Sequence, residues 1–143
     1  MLGTSLLGGL NIARCPKALF EKYTQFNDEF WQEPSPGARN LSLGLRCIEA
    51  VHAVPDPRRQ SLDIELSDTE IARISEFDFS AFTDSEQVVL QLAQKIPFNH
   101  HGISDTDVRD AQQTFGERGT VVLLVGLSFF DVNCRLKLTG GSS

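Results

Sequence analysis

Three short segments of this chain carry the same helix-start signature, in which a hydroxyl residue is followed three positions later by an acid. They are Ser67-Asp-Thr-Glu70, Thr83-Asp-Ser-Glu86 and Ser104-Asp-Thr-Asp107. In such a capping box the hydroxyl accepts a hydrogen bond from the backbone N–H of the acid, and the acid's side chain accepts one from the backbone N–H of the hydroxyl residue. We therefore predict helices at about 68–77, 84–96 and 105–115.

Apolar residues at helical spacing predict three further helices. The first follows Pro16, carries Leu19, Tyr23, Phe26 and Phe30, and ends at the Pro-Ser-Pro-Gly turn of residues 34–37. The second runs from about Arg39 to Pro55 and is apolar nearly all round, which is typical of a helix that crosses the core. The third, at about 117–138, ends before Gly140-Gly141. No segment predicts a strand, and the polar connection at 58–65 is unassigned.

Length and composition limit the architecture and the partners. The 143 residues suffice for one domain with a sizeable core, so we predict an all-α, single-domain bundle of five to six helices. A formal net charge of -6 makes nucleic acid and anionic membranes poor partners. The longest apolar stretch, 121–130, is about half the roughly 20 residues that a membrane span needs.

The cysteines and the N-terminal residues indicate the cellular compartment in which the protein is expected. Cys15, Cys47 and Cys134 are scattered without a Cys-x-x-Cys pair, which favours a reducing compartment. Residues 1–10 lack the basic start and the uninterrupted apolar run of a signal peptide. We therefore predict a cytoplasmic protein.

From Leu66 onward, the order of these signals resembles the carboxymuconolactone decarboxylase / alkylhydroperoxidase D-like family, and the helix at 11–31 fits that family's first helix. The resemblance covers about residues 10–139 and implies a compact all-α fold that assembles as a homotrimer or a larger homo-oligomer, with the reactive centre on the second helix. The segments that carry it are Leu-Ser-Asp-Thr-Glu-Ile71, Phe-Thr-Asp-Ser-Glu-Gln87, His-x-Ile-Ser-Asp-Thr-Asp-Val108 and Phe129-Phe-Asp-Val-Asn-Cys-Arg-Leu136.

The redox branch of that family is marked by a Glu, eleven residues, Cys-x-x-Cys, three residues and a His. Anchored on His52, with an insertion of about five residues after it, this motif puts the two thiol positions at Leu45 and Ile48 and the acid at Glu33. Neither thiol is present. An ungapped count from Leu66 instead puts the motif on residues that carry no such chemistry, namely Ala38, Ala50, Ala53 and Pro57.

The resemblance then implies the branch without thiols, in which a His and charged side chains move protons in a small apolar pocket. We predict a cofactor-free, metal-free decarboxylase, isomerase or cyclase acting on a small, largely apolar oxygenated metabolite. His52 is the predicted acid/base and Glu49, three residues earlier on the helix, its orienting partner. Arg46 is a possible anchor for a substrate anion, beside pocket walls formed by Leu45, Ile48 and Trp31.

Each of these assignments has a structural alternative. His52 can be satisfied by the last carbonyls of its helix, Arg46 and Glu49 can form an ordinary surface ion pair, and Trp31 can belong to the core. The adjacent His100 and His101 are expected to point apart and have no third ligand at a recognisable spacing, so no metal site is predicted.

Two alternative functions remain open. The first is a thiol-dependent hydroperoxide reductase in which Cys47 works with Cys15 or Cys134, although buried cysteines are usually inert core thiols. The second is a catalytically silent structural or binding paralogue whose site is filled by Leu45 and Ile48.

Overall fold

The computed structural model describes residues 16–53 and 66–140, with only the backbone described for 136–140. Within these residues there are five helices and no strand, which confirms the all-α prediction. Cys15, Pro55, Gly141 and the connection at 58–65 lie outside them. None of the described helices is long and apolar enough to cross a membrane. The helices are α1 Lys17–Phe30, α2 Ala38–Val51, α3 Asp68–Ser75, α4 Asp84–Lys95 and α5 Asp105–Gly140, with a 3-10 turn at His100–Gly102.

All three predicted capping boxes are confirmed. The Ser67 hydroxyl accepts from the Glu70 backbone N–H at 3.1 Å, and the Glu70 carboxylate accepts from the Ser67 N–H at 2.9 Å. Thr83 and Glu86 make the same reciprocal pair at the start of α4, and Ser104 and Asp107 at the start of α5. These contacts join residues three apart in the chain, which is why the sequence alone predicts them.

The last two predicted helices form one element, α5. They meet at Gly116, whose φ of 75° and ψ of 174° interrupt the helical path. This conformation is essentially restricted to glycine. Gly116 therefore permits the break between the predicted helices at 105–115 and 117–138.

Helix α2 lies at the centre of the bundle and contacts α3, α4 and α5. Its residues from Leu41 to Ile48 are all buried, as predicted for a helix that crosses the core. At Gly44 a Cβ atom would overlap a terminal side-chain carbon of Leu127 on α5, so a larger residue there would force Leu127 to move. Helix α1 packs its aromatic residues on α5, with the Phe26 and Phe129 ring centroids 5.0 Å apart.

Each of the three acids in the capping boxes, Glu70, Glu86 and Asp107, also binds a base from another helix. We call them the capping acids. Arg39, in the first turn of α2, reaches the Glu86 carboxylate with its Nε at 2.7 Å and the Glu70 carboxylate with its Nη2 at 2.5 Å. Lys95, the last residue of α4, lies 2.8 Å from Asp107. One base therefore ties the starts of α3 and α4 to α2, and another ties α4 to α5.

These contacts hold the capping acids in their ionised form. The hydrogen bond from Arg39 lowers the pKa of Glu70, and that from Lys95 lowers the pKa of Asp107. For Glu86, burial acts to raise the pKa, but the hydrogen bonds from Arg39 and from the Thr83 backbone outweigh it, so its pKa is also lowered. A carboxyl with a lowered folded-state pKa stabilises the fold above its ordinary pKa, and this contribution is lost as the pH falls through the folded-state pKa.

The first prediction concerns Arg39→Gln. We expect it to lower the free energy of unfolding at neutral pH by about 1–2 kcal/mol, because two charge-assisted contacts are lost together. The wild-type chain should also lose stability on acidification below about pH 4.5, the ordinary pKa of Glu70 and Glu86, and the variant should lose less. Urea denaturation at several pH values measures both effects.

Arg73→Gln is the matched control, because Arg73 forms a 3.7 Å pair with Asp78 in which both side chains are well exposed. Such a pair contributes no more than about 1 kcal/mol. Equal unfolding curves and equal acid dependence for the two variants would contradict the role assigned to Arg39.

Candidate functional site

His52 follows the last residue of α2 and points its ring toward α5. Its backbone N–H still donates to the Ile48 carbonyl at 3.1 Å, while its Nε2 lies 2.6 Å from Oδ1 of Asp131. The His52 side chain is 3% exposed and the Asp131 side chain 15% exposed. A contact this short between largely buried groups fixes the orientation of the imidazole.

Two further residues complete what we call the His52 cluster: His52, Phe98, Asp131 and Arg135. Arg135 donates from Nε to Asp131 at 3.0 Å, one turn further along α5, and from Nη2 to the carbonyl of Pro97. The Phe98 ring meets the His52 ring edge-on, with centroids 4.9 Å apart, and the Arg135 guanidinium carbon lies 5.0 Å from its centroid. The cluster thus joins the end of α2, the connection between α4 and α5, and α5 itself.

This arrangement suits proton transfer. A carboxylate bound to one ring nitrogen of a histidine selects the tautomer and stabilises the imidazolium that forms when the other nitrogen takes up a proton. Arg135 supplies the opposite charge that a largely buried Asp131 needs. The His52 cluster therefore has the composition of a general acid/base with its orienting carboxylate.

The orienting carboxylate is not the predicted one. Glu49 accepts from Arg46 Nη1 at 3.3 Å, and the acid on His52 is Asp131. His52 lies just past the end of α2, so its ring turns outward to the neighbouring helix instead of lying over the preceding turn of its own. Asp131 thus takes the place that was predicted for Glu49. The described contacts also do not show the structural alternative, in which the last carbonyls of α2 bind the ring.

The predicted substrate-binding residues lie in the packed core. The exposed fractions are 8% for Leu45, 5% for Arg46 and 0% for Ile48. The Arg46–Glu49 pair is buried, which corrects the alternative of an ordinary surface ion pair. Trp31 is half-buried and packs on Phe30 and Phe130, away from the described contacts of His52. These side chains support the fold beneath the site and offer a substrate little surface.

The other residues of the redox motif have their own structural partners. Glu33 accepts two hydrogen bonds from Arg118 of α5, at 3.0 Å and 3.2 Å. The rings of His100 and His101 are 4.1 Å apart, which corrects the expectation that they point apart, and both residues are exposed. Among the described residues, no group of three His, Cys, Asp or Glu side chains is arranged to hold a metal.

Cys47 is a core thiol. It is fully buried, and its Sγ donates to the Leu90 carbonyl at 3.5 Å. Burial raises the pKa of the Cys47 thiol to about 12. Because the thiolate is the reactive species, this environment disfavours the attack on a peroxide that a thiol peroxidase requires.

The second prediction follows for thiol reactivity. In the native protein at pH 8, iodoacetamide should leave Cys47 unmodified, and urea should make it fully reactive. Mass spectrometry of the peptide that carries Cys47 measures the change. Rapid modification of native Cys47, together with peroxide consumption that Cys47→Ser abolishes, would restore the hydroperoxide reductase alternative.

An apolar cavity of about 470 Å³, open to solvent, lies along α5, and the described residues that line it are Leu124, Val125, Ser128, Phe129 and Val132. It opens on an exposed stripe of α5 formed by Val121, Val125, Ser128 and Val132, which we call the α5 apolar face. Ser128 is the one polar residue among the described residues that line the cavity, and it precedes Asp131 by one helical turn. The cavity and the His52 cluster therefore lie on neighbouring sectors of the same helix.

Three residues of the cluster were missed by the sequence reasoning. Asp131 had a usable signal, because it is the only charged residue between Arg118 and Arg135 in an otherwise apolar helix. Arg135 follows it at the four-residue spacing of a helical ion pair. Phe98 had no signal, since nothing in a short loop predicts which buried group its ring will cover.

Comparison of the chain with protein-family models, with curated proteins and with solved structures gives no significant match. The resemblance to the carboxymuconolactone decarboxylase / alkylhydroperoxidase D-like family therefore stays a prediction. The case for a function rests on the geometry of the His52 cluster and of the α5 cavity.

Proposed function

We propose that this protein is a cofactor-free acid/base enzyme that acts on a small, largely apolar oxygenated metabolite. His52 is the proposed proton-transfer residue, and Asp131 is its positioning residue. The observation that carries the proposal is the 2.6 Å contact between these two largely buried side chains, with Arg135 bound to the far side of the carboxylate. A general acid or base needs an imidazole held in one orientation, and this arrangement supplies the carboxylate that orients it.

The proposed chemistry uses one proton. In the decarboxylation of a β-keto acid, the bond between the α-carbon and the carboxylate breaks, carbon dioxide leaves, and the electron pair forms an enolate. The His52 imidazolium then donates its proton to the α-carbon, and the neutral imidazole takes up another proton from water. In an isomerisation or lactone rearrangement, neutral His52 removes a proton from carbon and returns it at another position, so the reaction needs no further reactant.

The α5 cavity is the proposed place for the body of the substrate. Its volume of about 470 Å³ lies in the usual range for small-molecule sites, and its apolar walls suit a largely apolar compound. The Ser128 hydroxyl is available for an oxygen atom of the substrate. Arg135, whose side chain is 48% exposed, replaces the buried Arg46 as the proposed anchor for a substrate carboxylate.

The third prediction is a loss of turnover in His52→Gln. A panel of small β-keto acids and unsaturated lactones in deuterated water, followed by NMR, reports carbon dioxide release and deuterium incorporation at carbon. For the compound that turns over fastest, we expect His52→Gln to lower kcat by about 10²–10⁴-fold, the usual contribution of a general acid or base. Asp131→Asn should lower kcat less, because the imidazole remains but loses its orienting charge.

His101→Gln is the matched control, because His101 is exposed and has no described contact with the cluster. It should keep wild-type turnover. Equal turnover in His52→Gln and His101→Gln, or no turnover of any panel compound by the wild-type chain, would contradict the proposed activity.

A specific observation supports a second candidate, a non-catalytic binding protein. The His52 side chain is 3% exposed, and the two predicted thiol positions are filled by buried Leu45 and Ile48. Such a chain would bind apolar molecules in the α5 cavity without converting them. Panel compounds that displace a fluorescent apolar dye from the wild-type protein, with no product in the NMR assay, would favour this candidate over the enzyme.

We also propose that the chain forms a homotrimer or a larger homo-oligomer in the cytoplasm. The α5 apolar face supports this, because its residues follow one another at steps of four, three and four, the spacing of a helix-packing seam. Val121, Val125 and Val132 are 55%, 40% and 51% exposed, and there is no charged residue from Gly119 to Phe130. A second copy on this face would also close the cavity. The buried, unoxidised thiol of Cys47 fits a reducing compartment.

The fourth prediction tests this assembly. Light scattering coupled to size exclusion should give wild-type particles with a mass of three or more 15.8 kDa chains. Val125→Glu should shift the protein toward single chains, because it buries a charge in the contact. Leu19→Glu is the control, since Leu19 is a 62% exposed apolar residue on α1, outside the α5 apolar face. Wild-type protein that elutes as a single chain would contradict the proposal.

A further inference from the structure

Phe98 is an unusual member of the His52 cluster, because its side chain is 65% exposed while the histidine it contacts is almost fully buried. The exposed fraction is the highest among the large apolar residues of the described chain that lie at the surface. Single exposed apolar residues are common at protein surfaces, so the exposure alone assigns no role to Phe98. Its distinguishing feature is the edge-on contact with a buried histidine ring.

The backbone on either side of Phe98 is anchored. The Pro97 carbonyl accepts from Arg135, and the Asn99 N–H donates to the Lys95 carbonyl at 2.7 Å. The described ring and cation contacts of Phe98 are those with His52 and Arg135. A change of rotamer would therefore move the ring off the imidazole without any rearrangement of the backbone, and exposed side chains change rotamer rapidly.

We propose that Phe98 is a side-chain gate over His52. In the observed rotamer the ring shields the imidazole from water, and in an alternative rotamer it admits a small, largely apolar molecule to the ring nitrogen that Asp131 does not hold. Arg135 stays bound to Asp131 and to Pro97 in both states, so His52 keeps its orientation while the gate moves. This inference rests on the proposed role of His52 and assigns Phe98 as the residue that limits substrate size.

Diethyl pyrocarbonate tests the gate, because it is a small electrophile that modifies accessible imidazoles. The chain has three histidines, so peptide mass mapping reads His52, His100 and His101 separately. A residue behind a gate reacts at a rate proportional to the fraction of molecules in which the gate is open. Because Phe98→Ala removes the gating ring, we expect it to raise the rate of His52 modification at least about ten-fold. The rates at His100 and His101 should stay at their wild-type values.

Phe77→Ala is the matched control, because Phe77 is another exposed aromatic residue, 40% exposed, whose described ring contact is with Phe79. It should leave the His52 rate unchanged. Iodoacetamide labelling of Cys47, which is fully buried, reports any general loss of the fold in the variants. If Phe98→Ala exposes Cys47, the smaller change Phe98→Leu is measured in its place.

A His52 rate that equals the wild-type rate in a folded Phe98 variant would overturn the gate. The measurement needs no substrate, so its outcome is separable from that of the proposed function. A gated but non-catalytic His52 would show Phe98-dependent modification with no deuterium incorporation in the panel. An ungated catalytic His52 would show the opposite.

Discussion

The contact of Arg39 with Glu70 and Glu86 holds the bundle together at one end of α2. Both acids already complete the capping boxes that begin α3 and α4, so a single guanidinium fixes the positions of these two helix starts relative to α2. Lys95 repeats the device between α4 and α5 through Asp107. Because charge-assisted contacts are directional, they add a specific orientation to the apolar packing of these helices.

The other end of α2 carries His52, so the same buried helix links the structural clamp to the candidate site. Eight consecutive buried residues and the close approach of Gly44 to Leu127 keep α2 rigid against α5. This rigidity matters for acid/base chemistry, since a proton-transfer group must be held within a fraction of an ångström of its partner. The short contact between His52 and Asp131 follows from the position of both helices.

Helix α5 presents different side chains on opposite sides. One sector carries Leu123, Leu127 and Phe130 into the core, and the opposite sector forms the α5 apolar face and its cavity. Asp131 lies between these sectors and is the one acid in this part of the helix. An acid in an apolar helix is costly unless it is paired, and here His52 and Arg135 pair it from two sides.

The sequence by itself determined the helical class, the starts of α3, α4 and α5, and the core position of α2, because capping boxes and apolar periodicity depend on residues within a few positions of one another. It also singled out His52. It did not determine that Asp131, 79 residues away, would be its partner, or that Arg46, Leu45 and Ile48 would be core residues. It gave no indication of the Phe98 cover. Those outcomes depend on the direction in which side chains of different helices meet, and only the tertiary packing of α2, the α4–α5 connection and α5 decided them.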